Sequence, residues 1–337
     1  MVMLVKVVLS VARRESTQIA ARPIFKAEPF VNSFDTASAP DLWADWLLES
    51  RFSGEQAVRR ALLDSIESDV DRLLDHAQLK PGMTLLDVGS GDGTVPLRAI
   101  ERMGAQVHVH MTDVSPRLLD YAKEQARERG VASQCRFSLC GAQALEAIAD
   151  ASVDAVTARA VIGYLPEKAA VFREFFRVLK PGGRISLAEI IRRDEAFETC
   201  SLRKLVEAGR DAPENRFFAL LHRWKRTQFP DTEIETARMP MTNFSERDLV
   251  SFAMQAGFAD IHMEFHIDIG APVSHTWDAL LDSTPFPWAP TLRTCMAEQF
   301  SADERAIFEQ VMRSEVGKGQ MRTATRVAWI SATRPAA

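Results

Sequence analysis

From Met83 onward the chain alternates short, nearly continuous apolar runs with longer stretches whose apolar residues recur every three or four positions. The first rhythm is that of buried strands and the second that of amphipathic helices. Met83–Val88 is such an apolar run and leads into Gly89-Ser90-Gly91-Asp92-Gly93. A helix follows from about Thr94 to Met103, with Pro96 in the first turn, where proline is tolerated. Gln106–Met111 predicts a second strand that ends in Thr112-Asp113. Ser115 reads as an N-cap with Pro116 just inside, and Gly130 closes that helix. Further strands are predicted at Cys135–Leu139 and Val153–Thr157. Lys168 to Leu179 is amphipathic through Val171, Phe172, Phe175, Phe176 and Leu179, and Lys180-Pro181-Gly182-Gly183 turns into a fifth strand, Arg184–Ile190. Strand and helix in strict alternation imply a parallel sheet with right-handed crossovers, a doubly wound α/β fold.

Outside this stretch the rhythm changes. Residues 21–40 carry Pro23, Pro29 and Pro40 and read as an irregular lead-in. Helical stripes follow, first Leu42, Trp46 and Leu47, then Leu62, Leu63, Ile66, Val70, Leu73 and Leu74. After Ile191 the alternation breaks, with a helical stretch around Phe217–Trp224. It resumes with a helix at Ser245–Ala256 and a strand at Asp260–Ile267, breaks again from Pro272 to about Met321, and ends on a strand at Thr325–Ser331. The expected organisation is an N-terminal arm and helical cap (1–79), a core (80–191), an insertion (192–243), core continued (244–271), a second insertion (272–321) and a last strand with tail (322–337).

Charge and composition narrow the choice of function. The 337 residues include 41 Lys and Arg against 46 Asp and Glu, a formal charge of −5, with no basic run. Neither nucleic acid nor an anionic membrane is an expected partner. The apolar start, Met1 to Ser10, is too short to span a bilayer, which needs roughly 20 residues, and lacks the features of a signal peptide. A cytoplasmic setting is expected, with Cys135, Cys140, Cys200 and Cys295 as reduced thiols. No HExxH, no CxxC and no carboxylate cluster near the fourth strand suggests a metal, so none is expected.

The glycines at 89, 91 and 93 let the backbone turn tightly between strand and helix and approach a ligand closely. Asp113, at the end of the second strand, can accept both hydroxyls of a ribose. The loop lacks the glycine spacing of the nicotinamide fingerprint. With Arg177–Gly183 (Arg-Val-Leu-Lys-Pro-Gly-Gly) and the run at 245–258, these residues resemble the class I S-adenosylmethionine-dependent methyltransferases. The nearest flavour is the small-molecule group that includes quinone-biosynthesis and arsenite methyltransferases. The resemblance implies a Rossmann-like, doubly wound seven-stranded sheet with an antiparallel last strand, and S-adenosylmethionine as co-substrate. It implies that Gly89, Ser90, Gly91 and Gly93 line the methionine part, that Asp87 meets the amino group, that Asp113 holds the ribose and that Val114 packs on the adenine. Gly141-Ala142 stands where many relatives have Asp-Ala, so Gln143 or a backbone carbonyl replaces that adenine contact, beside Ala142. Arg159, Ala160 and Val161 fall where the family faces the sulfonium and the acceptor.

Methyl transfer requires alignment of a nucleophile, exclusion of water and, for some acceptors, a base. Tyr164, Glu189 and His222 are the candidates for handling a proton. Trp43, Trp46, Trp224, Trp277 and Trp288 are candidates for covering the ligand, and each can equally be core. Two insertions beside the site predict a lid over a small organic acceptor, with homo-oligomerisation left open. Three thiols gathered on a metalloid are not expected, because Cys135 and Cys140 point to opposite faces of one strand. The rival readings are a cofactor-binding protein without turnover and, further off, a nicotinamide oxidoreductase.

Overall fold

A computed structural model describes residues 41–52, 56–209, 215–272, 276–319 and 321–336. The irregular lead-in expected at 21–40, and the apolar start before it, lie outside the described residues. Seven strands form one sheet in the order β3-β2-β1-β4-β5-β7-β6. They are β1 (Thr84–Val88), β2 (His108–Asp113), β3 (Cys135–Leu139), β4 (Val153–Arg159), β5 (Leu179–Ile190), β6 (Ala259–Gly270) and β7 (Thr323–Thr333). β1 to β5 pair in parallel, while β7 runs antiparallel to both β5 and β6. The order reverses between β1 and β4, so the two β–α crossings leave on opposite faces and open a crevice at the strands' carboxyl ends.

The helices are α1 (Leu42–Leu48), α2 (Gln56–Ala77), α3 (Thr94–Met103), α4 (Pro116–Glu128), α5 (Lys168–Val178), α6 (Arg193–Ala208), α7 (Asn215–Lys225), α8 (Glu233–Arg238), α9 (Glu246–Ala256), α10 (Trp277–Asp282), α11 (Leu292–Gln299) and α12 (Ala302–Gly317). Local chemistry sets their ends. The Ser115 hydroxyl accepts from Leu118 N to start α4, Ser245 and Asp248 form a capping box for α9, and Gly257 closes α9 in the left-handed region.

Because side chains alternate across a strand, the sheet has two apolar faces. Leu86, Val88, Val156, Ala158 and Leu187 pack against α5 and α9 with Phe172, Phe175 and Leu249. Leu85, Val109, Met111, Ala155 and Trp329 pack against α2, α3 and α4 with Leu73, Ile100 and Ala122. The strand expected at Arg184 starts earlier. Leu179 pairs with Val153 and Arg184 with Ala155, so the Lys180–Gly183 turn bulges inside β5, held by Gly182 N donating to Arg334 O at 2.8 Å.

The 192–243 segment forms α6 to α8 and the 272–321 segment forms α10 to α12. Leu202, Leu220 and Trp224 of the first share a third apolar core with Trp277, Leu292 and Phe308 of the second. The two segments therefore pack together as one helical unit beside the sheet. No described helix is long and apolar enough to cross a membrane.

Candidate active site

The glycine loop and Asp113 come together at the carboxyl ends of β1 and β2. Gly91 N donates to Asp113 Oδ2 at 2.8 Å and Ser115 N donates to Oδ1 at 2.9 Å. Each oxygen keeps a lone pair for a further donor. Asp113 is 6% exposed, so it is a buried and oriented carboxylate rather than a solvated turn residue. Burial raises its pKa, and the backbone N–H groups of Ser115, Gly91 and Val114 oppose that rise. Next to it, Val114 is 43% exposed and Leu139 is 55% exposed. This apolar surface at the ends of β2 and β3 fits an adenine ring, and Leu139 is a residue the sequence reading missed. Ala142 is buried against the core and Gln143 is half-buried beside it.

Gly89 shows why this loop excludes side chains. Its φ is +68°, and an added Cβ would lie 2.4 Å from Val161 Cγ2. At Gly91, with φ +54°, a Cβ would lie 2.9 Å from Leu47 Cδ2, so α1 lies over the loop. Ser90 turns its hydroxyl inward to the Asp87 carbonyl, 2.9 Å away, so it can meet a ligand only through its backbone. Asp87 is buried between β1 and β4, where Thr157 Oγ1 donates to its Oδ1 at 2.6 Å. Desolvation pushes its pKa up to about 7, against hydrogen bonds from Thr157 and Ser90. A buried carboxyl of this kind gains from a nearby ammonium. The glycine cradle, the oriented Asp113, the poised Asp87 and the apolar ends of β2 and β3 fit an amino-acid-bearing nucleoside.

The segment after β4 is fixed by Glu189. Its Oε1 accepts from Val161 N and Ile162 N, both at 2.9 Å, and its Oε2 accepts from Gly163 N at 3.2 Å. Ala160 adopts φ +54°, a strained value for a residue with a Cβ, held by its N–H to Ala188 O at 2.8 Å. Glu189 was expected to handle a proton. Bonded to three N–H groups and 1% exposed, it braces the loop. His222 lies in α7, in the inserted helical unit. Its Nε2 lies 3.0 Å from Asp231 Oδ2, in an ionic network of the helical unit with Arg203 and Arg226. Trp224 and Trp277 belong to that unit's own core.

Tyr164 stands where the segments meet. Its ring meets Trp43 edge-on at 5.0 Å and Trp288 at 6.0 Å. Trp43 continues to Trp46 at 6.3 Å, and Trp288 stacks on Phe286 at 5.1 Å. Arg51 sits over Trp46 at 5.0 Å and Arg192 over Phe286 at 5.3 Å. An aromatic band thus runs from α1 through the post-β4 loop to the second inserted segment, with an arginine at each end. Trp46 Nε1 donates to Thr284 O at 3.0 Å and Thr284 N to Ser50 O at 3.1 Å, tying α1 to that segment. Burial first, and then the nearby Arg159, lowers the Arg51 pKa to about 10. Arg159, at the end of β4, is itself lowered by burial, with Asp69 and Asp92 opposing. Tyr164 is raised by burial, with Arg192 and Arg51 opposing, so its hydroxyl stays protonated at neutral pH.

The sequence matches a family described as "Methyltransferase domain" over residues 79–226. It is 34% identical over 116 residues to an arsenite methyltransferase of Halobacterium salinarum, covering 34% of this chain and 29% of that protein. It is 33% identical over 136 residues to a ubiquinone/menaquinone biosynthesis C-methyltransferase UbiE of Brucella anthropi, covering 39% of this chain and 51% of that protein. The chain thus spans about half the length of the one relative and under a third of the other. The crystal structure of the YcgJ protein from Bacillus subtilis superposes with a TM-score of 0.51 at 17% identity, over 80% of this chain and 98% of that one, and shares the fold. The matched residues, 79–226, include those that build the glycine loop, the Asp113 carboxylate and the post-β4 segment; over this stretch the chain is similar to methyltransferase domains.

Proposed function

We propose that the protein methylates a small, planar organic acceptor that carries an anionic group. The observation that carries this reading is the aromatic band around Tyr164 with Arg51 and Arg192 at its two ends. Flat aromatic walls suit a planar body, and guanidinium groups suit a carboxylate or similar anion. When bound, S-adenosylmethionine supplies a methyl group already activated by its sulfonium. The chain's own share is to align and to exclude water. Asp113 and Asp87 orient the two ends of the co-substrate, Val161 and the Glu189-braced loop face its middle, and α1 with the second inserted segment closes over it. Tyr164 can donate a hydrogen bond to the acceptor, whereas Glu189 and His222 are committed elsewhere.

Metalloid methylation is disfavoured. Cys135 and Cys140 sit on or just after β3, Cys200 lies in α6, and Cys295 is buried in α11. Among the described residues no three metal-ligating groups that include a thiol come together.

The test is a screen of small-molecule extracts with isotopically labelled methyl donor, followed by mass spectrometry in negative-ion mode. Label transferred to an acid with a planar body is the expected product. Label appearing only in neutral or cationic products overturns the acceptor class, and no transfer in any extract overturns the activity.

A further inference from the structure

β6 is the edge strand of the sheet, and its side chains alternate between two faces. In the run His262-Met263-Glu264-Phe265-His266, the two histidines and the glutamate therefore share one face. His76, in the last turn of α2, reaches the same carboxylate. Its Nε2 lies 3.1 Å from Glu264 Oε1, and His262 Nε2 lies 3.3 Å from that oxygen. His266 Nε2 stands 3.3 Å from Oε2. Three of the chain's seven histidines thus surround one carboxylate.

The ligand-bearing atoms of His76, His262 and Glu264 all lie within 4.8 Å of one another. Ligands about 2.0–2.1 Å from a tetrahedral zinc ion stand roughly 3.3 Å from each other. The two distances to Oε1 match that spacing. We propose that His76, His262 and Glu264 bind a divalent ion of the zinc class, with water completing the coordination.

Two further features suit such a site. Arg72 Nη1 holds Glu264 Oε2 at 2.5 Å, which leaves Oε1 turned toward the imidazoles, as outer contacts orient a metal-bound carboxylate. The two nitrogens and one oxygen also match the donors zinc takes.

The place in the fold defines the role. Arg184 Nε donates to His76 O at 2.8 Å, and Arg184 begins the pairing of β5 with β7. Through β7, Glu264 stands level with Ala188 and His262 with Ser186, at the β6 edge of the sheet, with β7, β5, β4 and β1 between them and Asp113 on β2. An ion there clamps the edge strand to α2 and takes no part in methyl transfer. Motif spacing did not reveal it, because one ligand comes from a helix almost two hundred residues before the strand.

The experiment is calorimetric titration of tag-free, chelator-stripped full-length protein with zinc chloride, repeated on His262→Ala and Glu264→Gln. His262 is largely exposed, so its variant keeps the fold, and melting temperatures without metal check both. The expected result is a single equivalent bound more tightly than about 100 µM, at least tenfold weaker binding in each variant, and visible absorption of tetrahedral type with cobalt(II). Weaker zinc binding to the native protein, or equal binding by both folded variants, overturns the site. Because the readout is metal binding, failure here leaves the methyltransferase reading untouched.

Discussion

Asp87 holds its proton up to about pH 7 in the folded protein, because burial disfavours its charge. In the unfolded chain the same carboxyl ionises near pH 4. The folded state therefore binds more protons between those values, and stability from this group is complete below about pH 4 and fades as pH rises through about 7. An ammonium beside Asp87 favours the ionised form. Affinity for the demethylated co-substrate should thus rise with pH, by up to about tenfold per unit, and level off above about 7. Asp87→Asn should flatten this profile. Calorimetry at pH 6 and pH 8 checks it, and an unchanged slope in the variant removes Asp87 from the amino group. Asp113→Ala is expected to weaken the same binding by about 1–3 kcal/mol, as loss of a charge-assisted pair does; unaltered affinity would refute the ribose contact. Glu189→Ala leaves three loop N–H groups without their acceptor and should cost on the order of 3 kcal/mol in denaturant unfolding. A loss below about 0.5 kcal/mol would mean that the loop does not depend on it.

The glycine loop was legible in the sequence because glycine is the residue that tolerates its backbone. The same geometry makes a sharp element-scale prediction. Gly89→Ala combines φ +68° with a 2.4 Å approach to Val161 Cγ2. β1 and the post-β4 segment must then separate, and co-substrate binding should fall at least tenfold, measured by calorimetry on folded protein; retained affinity would show that the segment gives way freely. Strands β1 to β5 and helices α3, α4, α5 and α9 were legible too, since their apolar spacing is clean and α4 and α9 start on serine caps. α6 was not. Its buried face is built from Ala196, Thr199, Cys200 and Leu202, residues that leave no marked apolar stripe. For His222 helical position points to core residues, and only the fold shows Asp231 at 3.0 Å. The role of Glu189 also depended on a contact, between the end of β5 and the loop after β4, that no local pattern records.

At the scale of the molecule, three distant stretches meet at Tyr164: α1 and the turn after it, with Trp43 and Arg51, the post-β4 loop, and the inserted segments with Phe286 and Trp288. The expectation that Trp224 and Trp277 face the acceptor gives way to a division of labour. Those two hold the helical unit together and contact Phe308 and Arg313, respectively. The band itself carries the specificity. Arg192 is anchored by Glu195 at 3.2 Å and rests on Phe286, while the Arg51 guanidinium has no carboxylate partner among the described residues. Burying a cation without a salt bridge is costly, and burial together with Arg159, only partly opposed by Tyr164 and Asp92, shows in the lowered pKa of Arg51, about 10. An anionic acceptor relieves that cost on binding. Arg51→Gln and Arg192→Gln should therefore leave co-substrate affinity within about twofold, while kcat/KM for the acid found in the extract screen falls by about ten- to a hundredfold, the effect of losing a charged hydrogen bond. The carboxamide of that acid should be a poor substrate for the native protein and should lose little more in the variants. If acid and amide suffer equally, the arginines shape the band without reading charge; if co-substrate affinity falls instead, they serve the methionine carboxylate and the acceptor need not be an anion.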